Sequence, residues 1–263
     1  MPRALKSISV TNQHFNDPVA AYEHLGSRYA ELCKRREAYL RSVEKCILER
    51  IPAGSQSLLD IGAGDGSRAM RIAAAAAIRR LVLVEPGAGM IRAVASKTEI
   101  WPFRAEELST NSLERFDVIT CLWNVLGHVR GTEARRRALT NAARMLSSRG
   151  KLFIDVNHRY NGHAYGMLRT TARWLRDHLV PDESAGDVTA TWDFGDSTIS
   201  TYGHVFTHRE MMRLAKAAGL ALEERITIDY DDGRSRRWPF AGNLLYIFRR
   251  NSLIDSSSPP QTS

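Results

Sequence analysis

The chain has 263 residues, 43% hydrophobic and 25% charged, a balance that supports a substantial core and excludes wholesale disorder. Lysine and arginine number 37 against 29 acids, a net charge of +8. The excess is dispersed in short groups such as Lys34-Arg35-Arg36, Arg135-Arg136-Arg137 and Arg249-Arg250, and no block reaches the length of a nucleic-acid tail. No apolar run approaches the roughly 20 residues of a membrane-spanning helix, and residues 1–16 lack the apolar stretch of a signal peptide. Cys33, Cys46 and Cys121 are odd in number and include no CxxC, which speaks against a disulfide framework or structural zinc and for a reducing cytoplasm.

Residues 1–17 read as a flexible N-terminus. Val19, Tyr22, Leu25 and Tyr29, then Tyr39, Leu40, Val43 and Ile47, recur at helical spacing, and Pro52 and Gly54 stop the second helix. Short apolar runs at 57–61, 81–84, 116–122 and 152–156 predict strands, with Ala/Arg/Leu-rich helices at 67–78 and 132–146 between them. Continuous apolar strands alternating with helices predict an α/β doubly wound parallel sheet covered on both faces. Past 157 the rhythm changes. A helix is predicted over 165–179. Alternating runs at 188–194 and 198–206 follow, with Gly195-Asp196 suited to a hairpin turn. Thr207 and Glu210 form a capping box opening a helix that ends at Gly219. Strands near 221–230 and 243–249 complete the sheet as an antiparallel edge, and the polar residues 251–263 read as a disordered tail.

The strongest chemical signal is Asp60-Ile61-Gly62-Ala63-Gly64-Asp65-Gly66-Ser67, a glycine-rich turn between a strand and a helix. Glycine permits positive φ and lets a ligand approach the backbone, and the helix behind presents free amides. The next strand ends in Glu85, 25 residues after Asp60, the spacing at which an acid reaches ribose hydroxyls. A carboxylate there would repel a 2′-phosphate. The glycines follow G-x-G-x-G, whereas the dinucleotide fingerprint is G-x-G-x-x-G, so an NAD-dependent oxidoreductase is disfavoured. Asp60 and Asp65 bracket the turn with negative charge, suited to a ligand that carries an ammonium group.

This pattern resembles the first motif of class I S-adenosylmethionine-dependent methyltransferases, and the resemblance covers about residues 55–160, more loosely 205–250. It implies a Rossmann-like, doubly wound, seven-stranded sheet with an antiparallel edge strand, an N-terminal helical lid (18–54) and an inserted helix and β-hairpin cap (161–206). The cofactor-binding core is then 55–160, with 207–250 as its C-terminal part. The implied cofactor is S-adenosyl-L-methionine. Asp60, Gly62, Ala63 and Gly64 would border its methionine end, Glu85 with Pro86 its ribose, Ala105 and Glu106 its adenine, and Leu122 and Trp123, with Asn124, its sulfonium. An aromatic face beside a sulfonium is attractive as in cation–π pairs.

Methyl transfer is mainly alignment and exclusion of water. A base is needed only for a nucleophile protonated at neutral pH. His128 after the fourth expected strand, and His158, Tyr160 and His163 after the fifth, are the candidates. Asp155 and Asn157 could form a magnesium pair, but the fourth strand ends in Trp123-Asn124 rather than an acid, and no metal is expected. Tyr22, Tyr29, Tyr39, Tyr160, Tyr165, Trp174, Trp192 and Tyr202 supply aromatic surface in the lid and cap, and Arg28, Arg35, Arg36 and Arg159 could meet an anionic group. The expected acceptor is a small organic metabolite, anionic or aromatic, methylated at oxygen or nitrogen. Nucleic acid is disfavoured, because the Asn/Asp-Pro-Pro-Tyr ending of base-methylating enzymes is absent. An RNA or DNA methyltransferase and a non-catalytic S-adenosylmethionine-binding protein are the alternatives.

Overall fold

The computed structural model describes residues 11–91, 98–108, 114–180 and 182–251. The expected flexible stretch therefore lies outside the described residues at 1–10, and the expected tail lies outside them from 252.

The main sheet contains β2 (Ser57–Ile61), β3 (Arg80–Val84), β4 (Glu99–Trp101), β5 (Phe116–Cys121), β6 (Leu146–Val156), β9 (Leu220–Ile228), β10 (Ser235–Arg236) and β11 (Asn243–Arg250). Their order is β10-β9-β11-β6-β5-β2-β3-β4. The run β6-β5-β2-β3-β4 is parallel, as the unbroken apolar strands predict. Two details differ from expectation. The two-residue β10 raises the strand number from seven to eight, and the antiparallel strand β11 is not at the edge but between β6 and β9.

The strands alternate their side chains between two layers. Leu58, Val118 and Phe153 face α3 (Glu37–Leu48) and α4 (Ser67–Ala75), which deliver Val43, Ile47 and Ile72. Leu59, Ile119 and Ile154 face α6 (Thr132–Met145) and α9 (His208–Ala217), which deliver Leu139, Met211 and Leu214. Thus α3, expected within the N-terminal lid, is a layer of the core.

A second, three-stranded sheet has the order β1-β8-β7, with β1 (Thr11–Phe15), β8 (Ser197–His204) and β7 (Asp187–Asp193). β7 and β8 are the expected hairpin, turning through Gly195 at φ 84°. Residues 11–15, expected to be flexible, instead pair in parallel with β8 from Thr11↔Ser197 to Phe15↔Thr201, and Thr201 Oγ1 donates to the Phe15 carbonyl at 2.8 Å. α1 (Pro18–Leu25) and α2 (Tyr29–Arg35) lie on this sheet, where Ala21, Leu25 and Leu32 pack with Ile199. Asp17 caps α1 by accepting from the Val19 amide, with Pro18 at the first position.

The helix expected over 165–179 is split at Gly166 (φ 82°) into α7 (Gly162–Tyr165) and α8 (Met167–Leu179). Only half of the expected capping box forms. Thr207 Oγ1 accepts from the Glu210 amide, but the Glu210 carboxylate turns to His204. Among the described residues no helix is long and apolar enough to cross a membrane.

Candidate active site

The chain leaves β2 toward β3 and β4 on one side and returns to β5 and β6 on the other. A parallel sheet opens a crevice beyond its carboxyl ends at such a reversal. Here it is a cleft of about 730 Å³, its open mouth included.

Its floor is the turn after β2. Gly62, Gly64 and Gly66 have φ of 72°, 58° and 74°, and the Gly62 and Ala63 amides donate to the Val84 carbonyl. A Cβ on Gly62 would lie 2.4 Å from Val125 Cγ2, and one on Gly64 would lie 2.9 Å from the Tyr29 hydroxyl. At Gly62 conformation and space both demand glycine, and at Gly64 the conformation does, since only the tip of the Tyr29 side chain stands in the way. Glu85, at the end of β3, accepts from the Gly64 amide through Oε2 and from the Gly87 amide through Oε1, both at 2.9 Å. Burial pushes its carboxyl above the usual range, and the two amides oppose that shift. Each oxygen keeps a further lone pair.

Of the residues expected to bind cofactor, Gly62, Gly64, Glu85, Pro86, Ala105, Glu106, Leu122 and Trp123 all line the cleft. Asp60 and Ala63 do not. Asp60 is buried beneath the turn, where Thr120 Oγ1 donates to it at 2.6 Å. Ala63 faces α4, against Ala69 and Leu83. In this turn Gly62 and Gly64 meet the cleft while the Ala63 side chain leaves toward α4. Met90, Phe103 and Val125 also line it and carry no motif, and Pro18, Val19, Tyr22 and Tyr29 close it from α1 and α2.

Behind the wall, Asp155 organises the end of β5. Its carboxylate accepts from the Trp123 amide and from the Tyr39 hydroxyl, the latter at 2.7 Å. Trp123 and Asn124 both have positive φ, 59° and 60°, although neither is glycine. Such strain persists where the surroundings over-determine it. Asn124 Nδ2 donates to the His204 carbonyl, its Oδ1 accepts from the Asn157 amide, and Trp123 Nε1 donates to the Tyr230 hydroxyl. Burial pushes the Asp155 carboxyl up, and nearby Arg68 works against it. The charge of Arg68 near Asp60 and Asp155 was not read from the sequence. The available signal was a cation just inside a helix whose preceding strand ends in a buried acid.

His128 closes α5 (Val125–His128) and borders the cleft. Its Nδ1 lies 3.0 Å from the Tyr202 carbonyl, which can only accept, so Nδ1 carries the proton. Nε2 then offers a lone pair and accepts from the Tyr22 hydroxyl at 3.1 Å. Burial lowers the pKa of His128, against the opposing Tyr202 contact, so the ring is neutral at pH 7.

The other three expected bases lie elsewhere. Past β6 the chain pairs with Phe206, through the Phe206 amide to Asn157 and the Arg159 amide to Phe206. That pairing carries His158 and Tyr160 to a separate cavity, where the Tyr160 hydroxyl donates to Asp177 at 2.9 Å. His163 Nδ1 instead contacts Asp229 at 2.8 Å.

A family model described as a methyltransferase domain matches residues 23–225. Among curated proteins, none matches by sequence. Similar solved structures include the sugar N-methyltransferase KedS8 from Streptoalloteichus sp. ATCC 53650, with 19% identity, a TM-score of 0.56 and coverage of 95% of this chain and 100% of that one. The CcbJ methyltransferase from Streptomyces caelestis has 14% identity and a TM-score of 0.59, covering 80% and 90%. The N-methyltransferase NodS from Bradyrhizobium japonicum WM9, solved with S-adenosyl-L-homocysteine, has 18% identity and a TM-score of 0.51, covering 80% and 85%.

Proposed function

Since the chain belongs to the methyltransferase-domain family of S-adenosylmethionine-dependent enzymes, we propose that it methylates an oxygen or nitrogen of a small organic metabolite, with His128 as general base. The cleft suits the cofactor. Glu85 is a buried acceptor with lone pairs left for two ribose hydroxyls. Met90, Pro86 and Phe103 give an apolar slot beside Ala105 and Glu106. Leu122 and Trp123, which line the cleft beyond β5, would flank the sulfonium. When bound, S-adenosyl-L-methionine supplies a methyl group already activated by its sulfonium sulfur.

The chain's own part is to bind, align and deprotonate. α1 and α2 act as the lid, and Tyr22 and Tyr29 exclude water from the cleft. Trp123, fixed by Asp155 and Tyr230, presents a π-face to positive charge. His128 Nε2 takes the proton of the acceptor's hydroxyl or ammonium group, while the Tyr202 carbonyl steadies the imidazolium that forms. The observation that carries this reading is the neutral, oriented His128, whose lone pair is satisfied only by a lid tyrosine. A nucleophile needing no deprotonation would need no such group. That one of the similar structures is a sugar N-methyltransferase supports a small acceptor.

The test is transfer of a labelled methyl group to a panel of small amines, alcohols and phenols, with total RNA as the competing acceptor. Label in a small molecule, lost in His128→Ala while S-adenosylhomocysteine still binds, is the expected result. Label in RNA alone would replace the reading with a nucleic-acid enzyme. Cofactor binding without transfer to any acceptor would leave a non-catalytic binding protein.

A further inference from the structure

Tyr22 brings a phenol from the lid to the bare nitrogen of His128, and both side chains line the cleft. α1 is fixed at each end. Asp17 pairs with Arg104 at 2.6 Å, and Arg28, just past the helix, pairs with Asp196 at 2.9 Å. The Tyr22 ring meets Trp192 of β7 edge-on at 5.2 Å and His128 at 5.3 Å, and the rings of Trp192 and His128 are 6.4 Å apart. One indole of the hairpin thus holds both members of the pair. The Tyr29 hydroxyl stands apart from them, over Gly64.

The hydrogen bonds around this pair run in one direction. The Tyr202 carbonyl accepts from His128 Nδ1 at 3.0 Å, so Nε2 carries no proton and the Tyr22 hydroxyl donates its single proton there at 3.1 Å. A hydroxyl oxygen has two lone pairs besides, and among the described residues nothing donates to those of Tyr22. With its proton committed, this oxygen offers the cleft acceptors only. Burial pushes the Tyr22 phenol well above its ordinary range. It therefore does not stand as a phenolate, and can take up a proton only while it releases its own.

We infer that Tyr22 is a catalytic residue that relays the acceptor's proton to His128, an inference that rests on the methyl transfer proposed above. The acceptor's hydroxyl or ammonium group donates to the Tyr22 oxygen. Its proton passes to that oxygen as the Tyr22 proton passes to His128 Nε2. A hydroxyl gives up its proton while its oxygen bonds the methyl carbon; an ammonium gives one up beforehand, which frees the nitrogen lone pair. In either case the sulfonium sulfur keeps the electron pair of the breaking carbon–sulfur bond. The products are the methylated acceptor, S-adenosylhomocysteine and an imidazolium at His128, and Tyr22 is regenerated with a proton. The same polarity selects the acceptor's nucleophile, because only a group that donates a hydrogen bond satisfies the Tyr22 oxygen.

Nitrogen NMR of the His128 ring in the full chain tests the hydrogen-bond chain without any acceptor. The native protein should show the Nδ1–H tautomer with a hydrogen-bonded Nε2, and Tyr22→Phe should move the Nε2 signal toward that of an unbonded ring nitrogen. An Nε2–H tautomer, or an Nε2 signal that Tyr22→Phe leaves in place, overturns the relay. Single-turnover transfer to whichever small amine, alcohol or phenol accepts label tests the chemistry. Tyr22→Phe and His128→Ala should each lose about 10²-fold in rate together with the acid limb of the pH profile. The double variant should lose no more than either alone, because the two residues act as a unit. Calorimetry should find S-adenosylhomocysteine bound to Tyr22→Phe as before. A Tyr22→Phe variant that keeps its rate and acid limb, with at most a raised KM, shows lid packing alone and overturns the relay, as do losses that multiply in the double variant. Rate and S-adenosylhomocysteine affinity lost together would make Tyr22 a cofactor contact instead. Transfer to no small acceptor removes the proposed function, and the relay with it.

Discussion

Glu85 and His128 show how little freedom the site's polar residues have. The Glu85 carboxylate is tied to the Gly64 and Gly87 amides, so it stands at the lip of the glycine turn whether or not a ribose is present. Glu85→Ala should weaken S-adenosylhomocysteine binding by more than about tenfold, the scale of losing charge-assisted hydrogen bonds; calorimetry showing unchanged affinity would remove Glu85 from the site. For His128 the expected signature is a pH profile. Burial holds its pKa below the ordinary 6.5, and the base works when neutral, so turnover should rise with pH through that lowered value and be level from neutrality upward. His128→Ala should lose about 10²-fold or more in turnover together with this acid limb. Glycine spacing and the distance to Glu85 were legible because both report on contacts made within one βαβ unit. The side chains of Asp60, Ala63, His158 and Tyr160 lie away from the cleft for a common reason. Residues near the end of a strand were assigned to the ligand side by position, and which way a side chain leaves a turn depends on neighbours distant in sequence, such as Thr120 for Asp60 and Phe206 for the residues after β6.

Among elements, the joint between the β7–β8 hairpin and the core is the most demanding. Arg135 and His204 are buried, and they meet Asp187 and Glu210 around the Tyr202 hydroxyl. Arg135 also donates to the Val129 carbonyl at 3.0 Å. This cluster holds β8 where the Tyr202 carbonyl reaches His128. Removing one partner of a buried ion pair leaves an uncompensated charge, so Arg135→Ala should cost about 3–5 kcal/mol in denaturant unfolding. A loss below about 1 kcal/mol, typical of exposed pairs, would mean that water already solvates the cluster. The capping box was misread for the same reason. Thr207 and Glu210 have the right spacing, but a buried histidine six residues earlier than Glu210 is a better partner for a carboxylate than an amide that water can reach.

For the whole molecule, pH sets the balance through histidines that folding keeps neutral. Burial pushes His158 down from 6.5 to about 4. The unfolded chain therefore binds the extra proton between those values. This contribution is complete above about pH 6.5 and is lost as pH falls toward 4, on the order of 3 kcal/mol. Chemical denaturation between pH 7.5 and 4.5 should show a steeper loss for the native chain than for His158→Gln, and parallel slopes would refute the assignment.

The sequence by itself determined the alternation of strands and helices, the glycine turn and its acid partner, because periodicity, backbone conformation and short loops are local properties; the kind of cofactor followed from the family resemblance that this motif carries. Only the tertiary structure decided that residues 11–15 join the hairpin, that α3 belongs to the core, that β11 lies inside the sheet, and which histidine borders the cleft. Each of those depends on pairing between segments far apart in the chain. Such pairing is selected by the burial and hydrogen bonding of the whole assembly, and no short window of residues records it.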